Sequence, residues 1–359
     1  MSDPSGVAAP VPLGTVAAMQ GGGFYNRNSS LQAANLTSAL PLLQAAASQV
    51  GAQAGRTVCI ADYGVSQGRN SMMPMGTAID EIRKQCGEAC AISVAHVDLP
   101  SNDFASLFAL LDQQSDSYLN GRDAIYPFAV GRSHFEQVLP DESVDLGWSA
   151  NAIHWMSANP VLVADHGWGI FSQSADNRAK VDDLLARDWL NFLKARAREM
   201  RSGAKLVCQF MARGEDRHGF EYIADAFWAS VQDIAGDGQL ADDALLAMTA
   251  PSAGRSANQI RAPFDNGHVD ELALSDMAIV EAPDPMYAAY LDDRDAQKFG
   301  RTWAELMRAA NGPSFALGIR EEGRRDEVIA AIHDRLAQRL AGDPQPAASY
   351  NVLLAVEKR

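Results

Sequence analysis

The stretch TVCIADYGVSQGRN, residues Thr57 to Asn70, decides the fold because an apolar run leads directly into a turn that contains glycine. The run from Thr57 to Tyr63 has the composition of a buried strand, and Gly64 and Gly68 mark the turn. Ligands of open parallel sheets bind beyond the carboxyl ends of the strands, where glycine lets the backbone approach them closely. The turn is therefore the first candidate site.

Further strand-like runs alternate with helical patterns along the chain. The runs are Ala91–Val97, Val144–Ser149, Lys205–Met211 and, at the C-terminus, Tyr350–Val356. One helix is predicted from an apolar stripe at helical spacing: Val181, Leu184, Leu185, Trp189, Phe192, Leu193, Ala197 and Met200. Another is predicted from Asp326 to Leu340. This alternation predicts an α/β fold with a parallel sheet covered on both faces.

Composition argues against several classes of function. The 359 residues carry 30 Lys and Arg against 45 Asp and Glu, and the formal net charge of -15 disfavours nucleic acid and anionic membranes as partners. No apolar run approaches the roughly 18 residues of a membrane span. The first 26 residues contain no Lys or Arg, which does not support a secretory signal. We expect a cytoplasmic protein.

Four cysteines do not indicate a disulfide framework in a chain of this length. Cys59 and Cys208 lie in strand-like runs, where burial explains them. Cys86 and Cys90 are four residues apart on a predicted helix, without the partnering Cys or His of a metal site. We expect structural cysteines and no metal.

Asp98 follows the second strand-like run in the way that the glycine turn follows the first. A carboxylate at this position can accept hydrogen bonds from both hydroxyls of a ribose, as in dinucleotide-binding folds. The turn after Tyr63 is not G-x-G-x-x-G, since Ser66 stands where a fold that binds a diphosphate needs glycine. Together these residues predict a site for an adenosine without that diphosphate.

Two alternatives use the same turn. Residues 64–68, GVSQG, form a G-x-S-x-G sequence that in α/β-hydrolases presents a nucleophilic serine, which would be Ser66, with His333 available late in the chain. That elbow normally follows several strands, whereas this turn follows the first predicted strand. The other alternative is a purely structural turn, because glycine is common at strand ends.

Five blocks in order resemble the SABATH family, the salicylate, benzoate and theobromine methyltransferases that use S-adenosylmethionine. The blocks are MQGGGFYNRNSSLQ (19–32), IADYGVSQGRNS (60–71), VDLPSNDFASLF (97–108), SANAIHWMSANP (149–160) and RDWLNFLKARAREMRSGAKLVCQFMAR (187–213). The resemblance covers most of residues 19–213 and is looser beyond them.

This resemblance implies the class I methyltransferase fold, with a Rossmann-like, mostly parallel sheet, an antiparallel C-terminal strand and a helical cap. It implies S-adenosylmethionine as cofactor, a small-molecule carboxylic acid as acceptor and a homodimer. We divide the chain into an N-terminal segment and helix that contribute to a lid (1–50), a cofactor-binding core (51–155, 181–213 and 270–359), a cap insertion (156–180) and a helical cap (214–269). We expect a divergent, bacterial member.

The resemblance also implies the site residues. Positions that match the cofactor site are Tyr25, Ser29, Asp62, Gly64, Asn70, Asp98, Leu99, Phe128 and Ala129. Positions implied to orient the acceptor carboxylate are Gln32, His154 and Trp155, and those implied to complete its pocket are Gln20, Asn151, Ala224 and Trp228. The amide of Gln32 and the indole of Trp155 are neutral donors that can orient a carboxylate.

A carboxylate with a pKa of about 4 is ionised at pH 7, so methyl transfer to it requires alignment rather than a general base. Asn151 and Ala224 stand where the family has aromatic residues, so we do not expect a planar acid clamped by aromatic rings. Two other functions stay open. One is a related enzyme in which S-adenosylmethionine is itself the substrate, and the other is a nucleoside-binding module without turnover.

Overall fold

The computed structural model of the chain describes residues 19–24, 26, 30–51 and 56–359. Tyr25 and Ser29, two of the residues predicted to bind the cofactor, lie outside these ranges. Within them, no helix has both the length and the apolar character needed to span a bilayer.

The described residues form a seven-stranded sheet with helices around it. The strands are β1 (Val58–Tyr63), β2 (Ile92–Asp98), β3 (Ile125–Gly131), β4 (Val144–Ala150), β5 (Met200–Ala212), β6 (Leu272–Glu281) and β7 (Tyr350–Lys358). The helices are α1 (Ser30–Thr37), α2 (Leu40–Ala47), α3 (Met72–Cys86), α4 (Phe104–Gln113), α5 (Ala175–Glu199), α6 (Glu221–Gly236), α7 (Asp242–Ala247), α8 (Ala257–Asp265), α9 (Pro285–Asp293), α10 (Ala296–Ala316) and α11 (Arg325–Gly342).

The strands follow the order β3-β2-β1-β4-β5-β7-β6 across the sheet. Strands β1 to β5 are parallel to one another, whereas β7 is antiparallel to both β5 and β6. All five strands predicted from the sequence are present, and the two predicted helices correspond to α5 and α11. The α/β fold, with its mostly parallel sheet and antiparallel C-terminal strand, is confirmed.

The sequence did not predict β3 and β6, the two edge strands of the sheet. Residues of β3 alternate between exposed and half-buried positions, whereas those of β1 are buried almost throughout. The apolar run of β3 contains Pro127, which argues against a strand or restricts it to a sheet edge, and the run of β6 is broken by Ser275 and Asp276.

Strands β1 and β4 are neighbours at the point where the strand order reverses. At such a switch point, the connections leave the two strands in opposite directions and a crevice opens beyond their carboxyl ends. The turn after β1 and the segment after β4 therefore meet at one crevice.

A helical layer with its own apolar core lies beside the segment that follows β4. This core joins α6, α10 and α11 to residues between β4 and α5. The predicted division placed α10 and α11 in the cofactor-binding core, and it placed α8 in the cap although Ile260 of α8 packs in the sheet core. The apolar face of a helix does not reveal in the sequence which of two clusters it joins.

Candidate active site

A cavity of about 390 Å³ opens beyond the carboxyl ends of β1, β2 and β4, at the switch point of the sheet. Five residues predicted to bind the cofactor line this first cavity: Asp62, Gly64, Asn70, Asp98 and Leu99. These five residues come from two separate blocks of the sequence and share the cavity with Asn151 and Trp155 of a third block.

Gly64 brings the turn after β1 against the segment after β4. Its φ of +87° lies in the left-handed region, and a Cβ at this position would overlap the Cβ of Ala152. A side chain disfavours such a φ, so the backbone conformation and the close approach both require glycine. The two segments therefore form adjoining walls of the first cavity.

Asp98 ends β2 and lines the first cavity. The backbone N–H groups of Ser66 and Leu99 donate to its two carboxylate oxygens, each at 2.7 Å. Burial raises the pKa of this carboxyl to about 6, although the two donated hydrogen bonds oppose the shift. Each oxygen keeps a further lone pair, so the ionised group can accept hydrogen bonds from the two hydroxyls of a ribose.

Asp62 is held in the wall of the first cavity by two side chains. Ser71 Oγ donates to Asp62 Oδ2 at 2.6 Å, and His96 Nδ1 lies 3.1 Å from the same oxygen. His96 Nε2 lies 2.7 Å from the hydroxyl oxygen of Tyr118, so both ring nitrogens have a partner. This buried chain of groups fixes the direction in which the Asp62 carboxylate points.

A second cavity, of about 130 Å³, adjoins the first. Met19, Asn151 and Trp155 line both cavities and form the boundary between them. Gln32 and Ala224 line the second cavity, as does His154. Among the described residues that line it, none is Asp, Glu, Lys or Arg.

Gln32 and Trp155 offer hydrogen-bonding groups to the second cavity. Asn151 Nδ2 donates to the main-chain oxygen of Gln32 at 3.2 Å and so ties α1 to the segment after β4. In the described ranges, no residue bonds to the side-chain amide of Gln32 or to the indole N–H of Trp155. Both neutral groups are available to a ligand.

His154 is a neutral group in the wall of the second cavity. Burial lowers its pKa to about 3, and the nearby charge of Arg255 adds to the shift. The backbone N–H of Met211 donates to His154 Nδ1 at 3.5 Å, which assigns the ring proton to Nε2. His154 therefore acts as a neutral hydrogen-bonding group at ordinary pH.

Two predicted cofactor residues, Phe128 and Ala129, do not line the first cavity. They lie inside β3, and the side chain of Phe128 is exposed. The segment that follows this strand, from Ser133 to Glu136, lines the cavity instead. The reason is the position of β3 at the edge of the sheet, since the cavity opens at the ends of β1, β2 and β4.

Two predicted acceptor residues, Gln20 and Trp228, line neither cavity. The main-chain oxygen of Gln20 accepts a hydrogen bond from Gln67 Nε2 at 2.6 Å, and its neighbour Met19 reaches the cavities instead. Trp228 is buried in the helical layer, with its ring centroid 6.1 Å from that of His166. Trp228 is therefore a core residue, one helical turn beyond Ala224.

Four aromatic residues that the sequence did not single out line the second cavity: Trp168, Phe171, Phe220 and Trp303. They correct the expectation of a pocket poor in aromatic rings, because they supply rings that Asn151 and Ala224 do not. They come from three separate segments of the chain, since only Trp168 and Phe171 are near each other in sequence, so no single local motif unites all four. Of the four, only Trp168 has unusual neighbours in the sequence, because it stands between Gly167 and Gly169.

Ser66 lacks the surroundings of a hydrolase nucleophile. Its Oγ is buried without a hydrogen-bond partner among the described residues. His333 lies in α11, where its Nδ1 is 2.6 Å from the main-chain oxygen of Ile329. Among the described residues, Ser66 and His333 do not form the pair that the hydrolase alternative requires, which contradicts that alternative.

Known proteins resemble nearly the whole chain. Residues 15–358 match a family described as SAM dependent carboxyl methyltransferase. Indole-3-acetate O-methyltransferase 1 of Oryza sativa subsp. japonica is 26% identical over 379 residues, which cover 94% of this chain and 91% of that protein. A solved structure of loganic acid methyltransferase with SAH covers 95% of this chain and 98% of that one, with a TM-score of 0.76 and 18% identity, and shows the fold.

Methyltransferase LUC1 of Fusarium sp is 28% identical over 249 residues. That match covers 68% of this chain but only 65% of the Fusarium protein. These relatives are fungal and plant proteins, so a bacterial source stays a prediction. Since the family match spans almost every residue, the chain belongs to the family of S-adenosylmethionine-dependent carboxyl methyltransferases, the SABATH family, and S-adenosylmethionine is its cofactor.

Proposed function

We propose that the protein transfers a methyl group from S-adenosylmethionine to the carboxylate of a small-molecule acid, giving a methyl ester and S-adenosylhomocysteine. The observation that carries this proposal is the boundary between the two cavities, where Met19, Asn151 and Trp155 line both. A donor in the first cavity and an acceptor in the second would meet at that boundary.

The first cavity fits the cofactor by the chemistry of its walls. Asp98 would accept hydrogen bonds from the ribose hydroxyls, and Leu99 would pack against the adenine. Asp62 and Asn70 would bind the amino-acid end, where the fixed carboxylate of Asp62 can accept from an ammonium group. When bound, the cofactor supplies a methyl group on a positively charged sulfur.

The second cavity fits an acid that needs orientation and no activation. A carboxylate is already a nucleophile at pH 7, so the neutral groups of Gln32 and Trp155 need only aim one oxygen at the boundary. Alignment of two reactants at about 3–3.5 Å can supply roughly 7–11 kcal/mol of the barrier. With no Lys or Arg among its described lining residues, this cavity leaves the sulfonium as the positive charge that faces the acid.

Size and composition of the second cavity favour a small aromatic acid. Its 130 Å³ is below the roughly 300–1,000 Å³ of pockets for drug-sized ligands, and aromatic rings form much of its wall. The rice relative is named for an acid of this kind, indole-3-acetate. We propose acids built on one or two aromatic rings as acceptors.

The proposal is tested with S-adenosylmethionine labelled in its methyl group and a panel of benzoate, phenylacetate and indole-3-acetate. We expect base-labile labelled esters from at least one acid. Label that appears only in methylthioadenosine would support the alternative in which the cofactor is itself the substrate. Cofactor binding with no labelled product would support a nucleoside-binding module and overturn the proposal.

The resemblance to the family is also the basis for proposing a homodimer in the cytoplasm. Light scattering on the purified protein measures the mass in solution, which should be close to twice the 38.6 kDa of the chain. A mass of one chain at micromolar concentration would contradict the dimer.

A further inference from the structure

Ser252 lies directly opposite Trp155 in the wall of the second cavity. The backbone N–H of Met156 donates to the oxygen of Pro251 at 2.7 Å, and that of Ala253 donates to the oxygen of His154 at 3.1 Å. These bonds form an isolated antiparallel bridge that pairs Trp155 with Ser252. Side chains of such a pair lie on one face, with Cβ atoms roughly 4.5–5.5 Å apart.

The Ser252 hydroxyl accepts one hydrogen bond and, within the described part of the chain, donates none. Trp168 Nε1 lies 3.2 Å from Ser252 Oγ, and an indole nitrogen can only donate, so this bond occupies a lone pair of the serine. In the described part of the chain, no group accepts a hydrogen bond from Ser252 Oγ. The side chain is 93% buried, since Ser252 is 7% exposed, and it lines the second cavity.

We propose that Ser252 is a further neutral donor to the acceptor and that Trp168 positions its hydroxyl. The assignment rests on the proposed function, because it requires a carboxylate in the second cavity. Trp155 lines both cavities whereas Ser252 lines only the second, so Ser252 lies farther from the donor. Its hydroxyl donates to the carboxylate oxygen that does not attack, while the attacking oxygen faces the boundary.

The spacing of the pair matches this role. Hydrogen bonds of roughly 2.7–3.0 Å from an indole N–H and a hydroxyl can reach the two oxygens of one carboxylate. Two donors on different oxygens fix the plane of the carboxyl group, which a single donor does not. Trp168 occupies one lone pair of the serine oxygen, which leaves the hydroxyl hydrogen to donate to a ligand in the cavity that both residues line.

The main test is Ser252→Ala, assayed with the acid of the benzoate, phenylacetate and indole-3-acetate panel that the wild type esterifies fastest. We expect kcat/KM for that acid to fall roughly tenfold, the size of one hydrogen bond to a charged group. The Kd of S-adenosylmethionine should stay unchanged. Ser275→Ala is the matched control, because Ser275 is an exposed residue of β6 that bonds to Ala355.

A double-mutant cycle tests the positioning role of Trp168. Trp168→Phe removes the indole N–H and keeps an aromatic ring, so we expect a smaller loss of kcat/KM in the wild-type background. In the Ser252→Ala background the same change should cost nothing further, because it acts through the serine. An equal loss in both backgrounds would show that Trp168 acts by packing and would overturn the positioning role.

The outcomes separate this inference from the proposed function. If the wild type forms an ester and Ser252→Ala has an unchanged kcat/KM, the assignment of Ser252 is wrong while the proposed function stands. If the wild type esterifies none of the three acids, both are overturned. A tenfold loss of kcat/KM for the acid in Ser252→Ala, with an unchanged Kd of S-adenosylmethionine, supports both the assignment of Ser252 and the proposed function.

Discussion

Asp98 is the residue at which we expect cofactor binding to depend on pH. Its pKa is raised to about 6, and only the ionised carboxylate can accept from both ribose hydroxyls. A bound cofactor favours the ionised form, so affinity is complete above pH 6 and is lost as the pH falls through it. Calorimetry from pH 7.5 to 5 should show a Kd that rises by up to about tenfold per pH unit below 6.

Asp98→Asn provides the control for this titration. The amide has no charge to lose, so the variant should bind more weakly at pH 7.5 and show a flat Kd down to pH 5. A wild-type Kd that is also flat would show that Asp98 does not contact the ribose.

We expect the rate to be independent of pH, because His154 stays neutral and does not act as a general base. Burial and the charge of Arg255 lower its pKa to about 3, so it stays neutral between pH 6.5 and 8.5. An acceptor carboxylate is ionised throughout this range as well. We expect a constant kcat at saturating substrates, and a tenfold rise per pH unit anywhere in the range would indicate a base in the mechanism.

Among the elements, the turn after β1 has the tightest packing requirement at the site. Gly64→Ala places a Cβ into Ala152 at a φ of +87°, so overpacking should destabilise the protein by roughly 1–3 kcal/mol. The displaced turn should also weaken S-adenosylmethionine binding by at least about tenfold, because Asp98 bonds to Ser66 of the same turn.

The Gly203→Ala variant is the control for Gly64→Ala, because it has the cost of an unfavourable backbone φ without the cost of steric overlap. Gly203 has a similar φ of +80° but no atom within 4 Å of the position of a Cβ. This variant should lose only the roughly 1–2 kcal/mol of an unfavourable backbone conformation and should bind the cofactor normally. Equal thermal unfolding and equal cofactor affinity in the two variants would contradict the packing argument.

Elements also show how far the sequence predicts this fold. The runs that became β1, β2, β4, β5 and β7 are rich in apolar residues, and each of these strands has buried residues. The edge strand β3 is apolar as well, but Pro127 within it argues against a strand, and β6 is interrupted by Ser275 and Asp276. That Asp62 and Asp98 share one cavity was predictable, because both stand at the ends of predicted strands.

At the scale of the whole molecule, the second cavity could be predicted only in part. Gln32, His154 and Trp155 belong to motifs, but Trp168, Phe220 and Trp303 reach the cavity only after the helical layer has packed. The same tertiary packing buries Trp228, whose sequence position alone suggested a pocket residue.

The positive charge of the bound cofactor should affect how tightly the acid binds. Since the described lining of the second cavity contains no Lys or Arg, an acid should bind more tightly when the cofactor is positively charged. Calorimetry should give a lower Kd for the acid with sinefungin, which has an ammonium group near the position of the sulfonium, than with S-adenosylhomocysteine. Equal affinities would show that the protein itself provides the charge that attracts the acid.

The uncharged lining of the second cavity also affects what happens after the reaction. In the proposed reaction, methyl transfer would turn the sulfonium into a thioether and the carboxylate into an ester, so the attraction between the two molecules would disappear in the same event. No Coulomb attraction would then have to be overcome when the two products separate. The complex of the products would therefore be weaker than that of the substrates, which favours rapid departure of the ester.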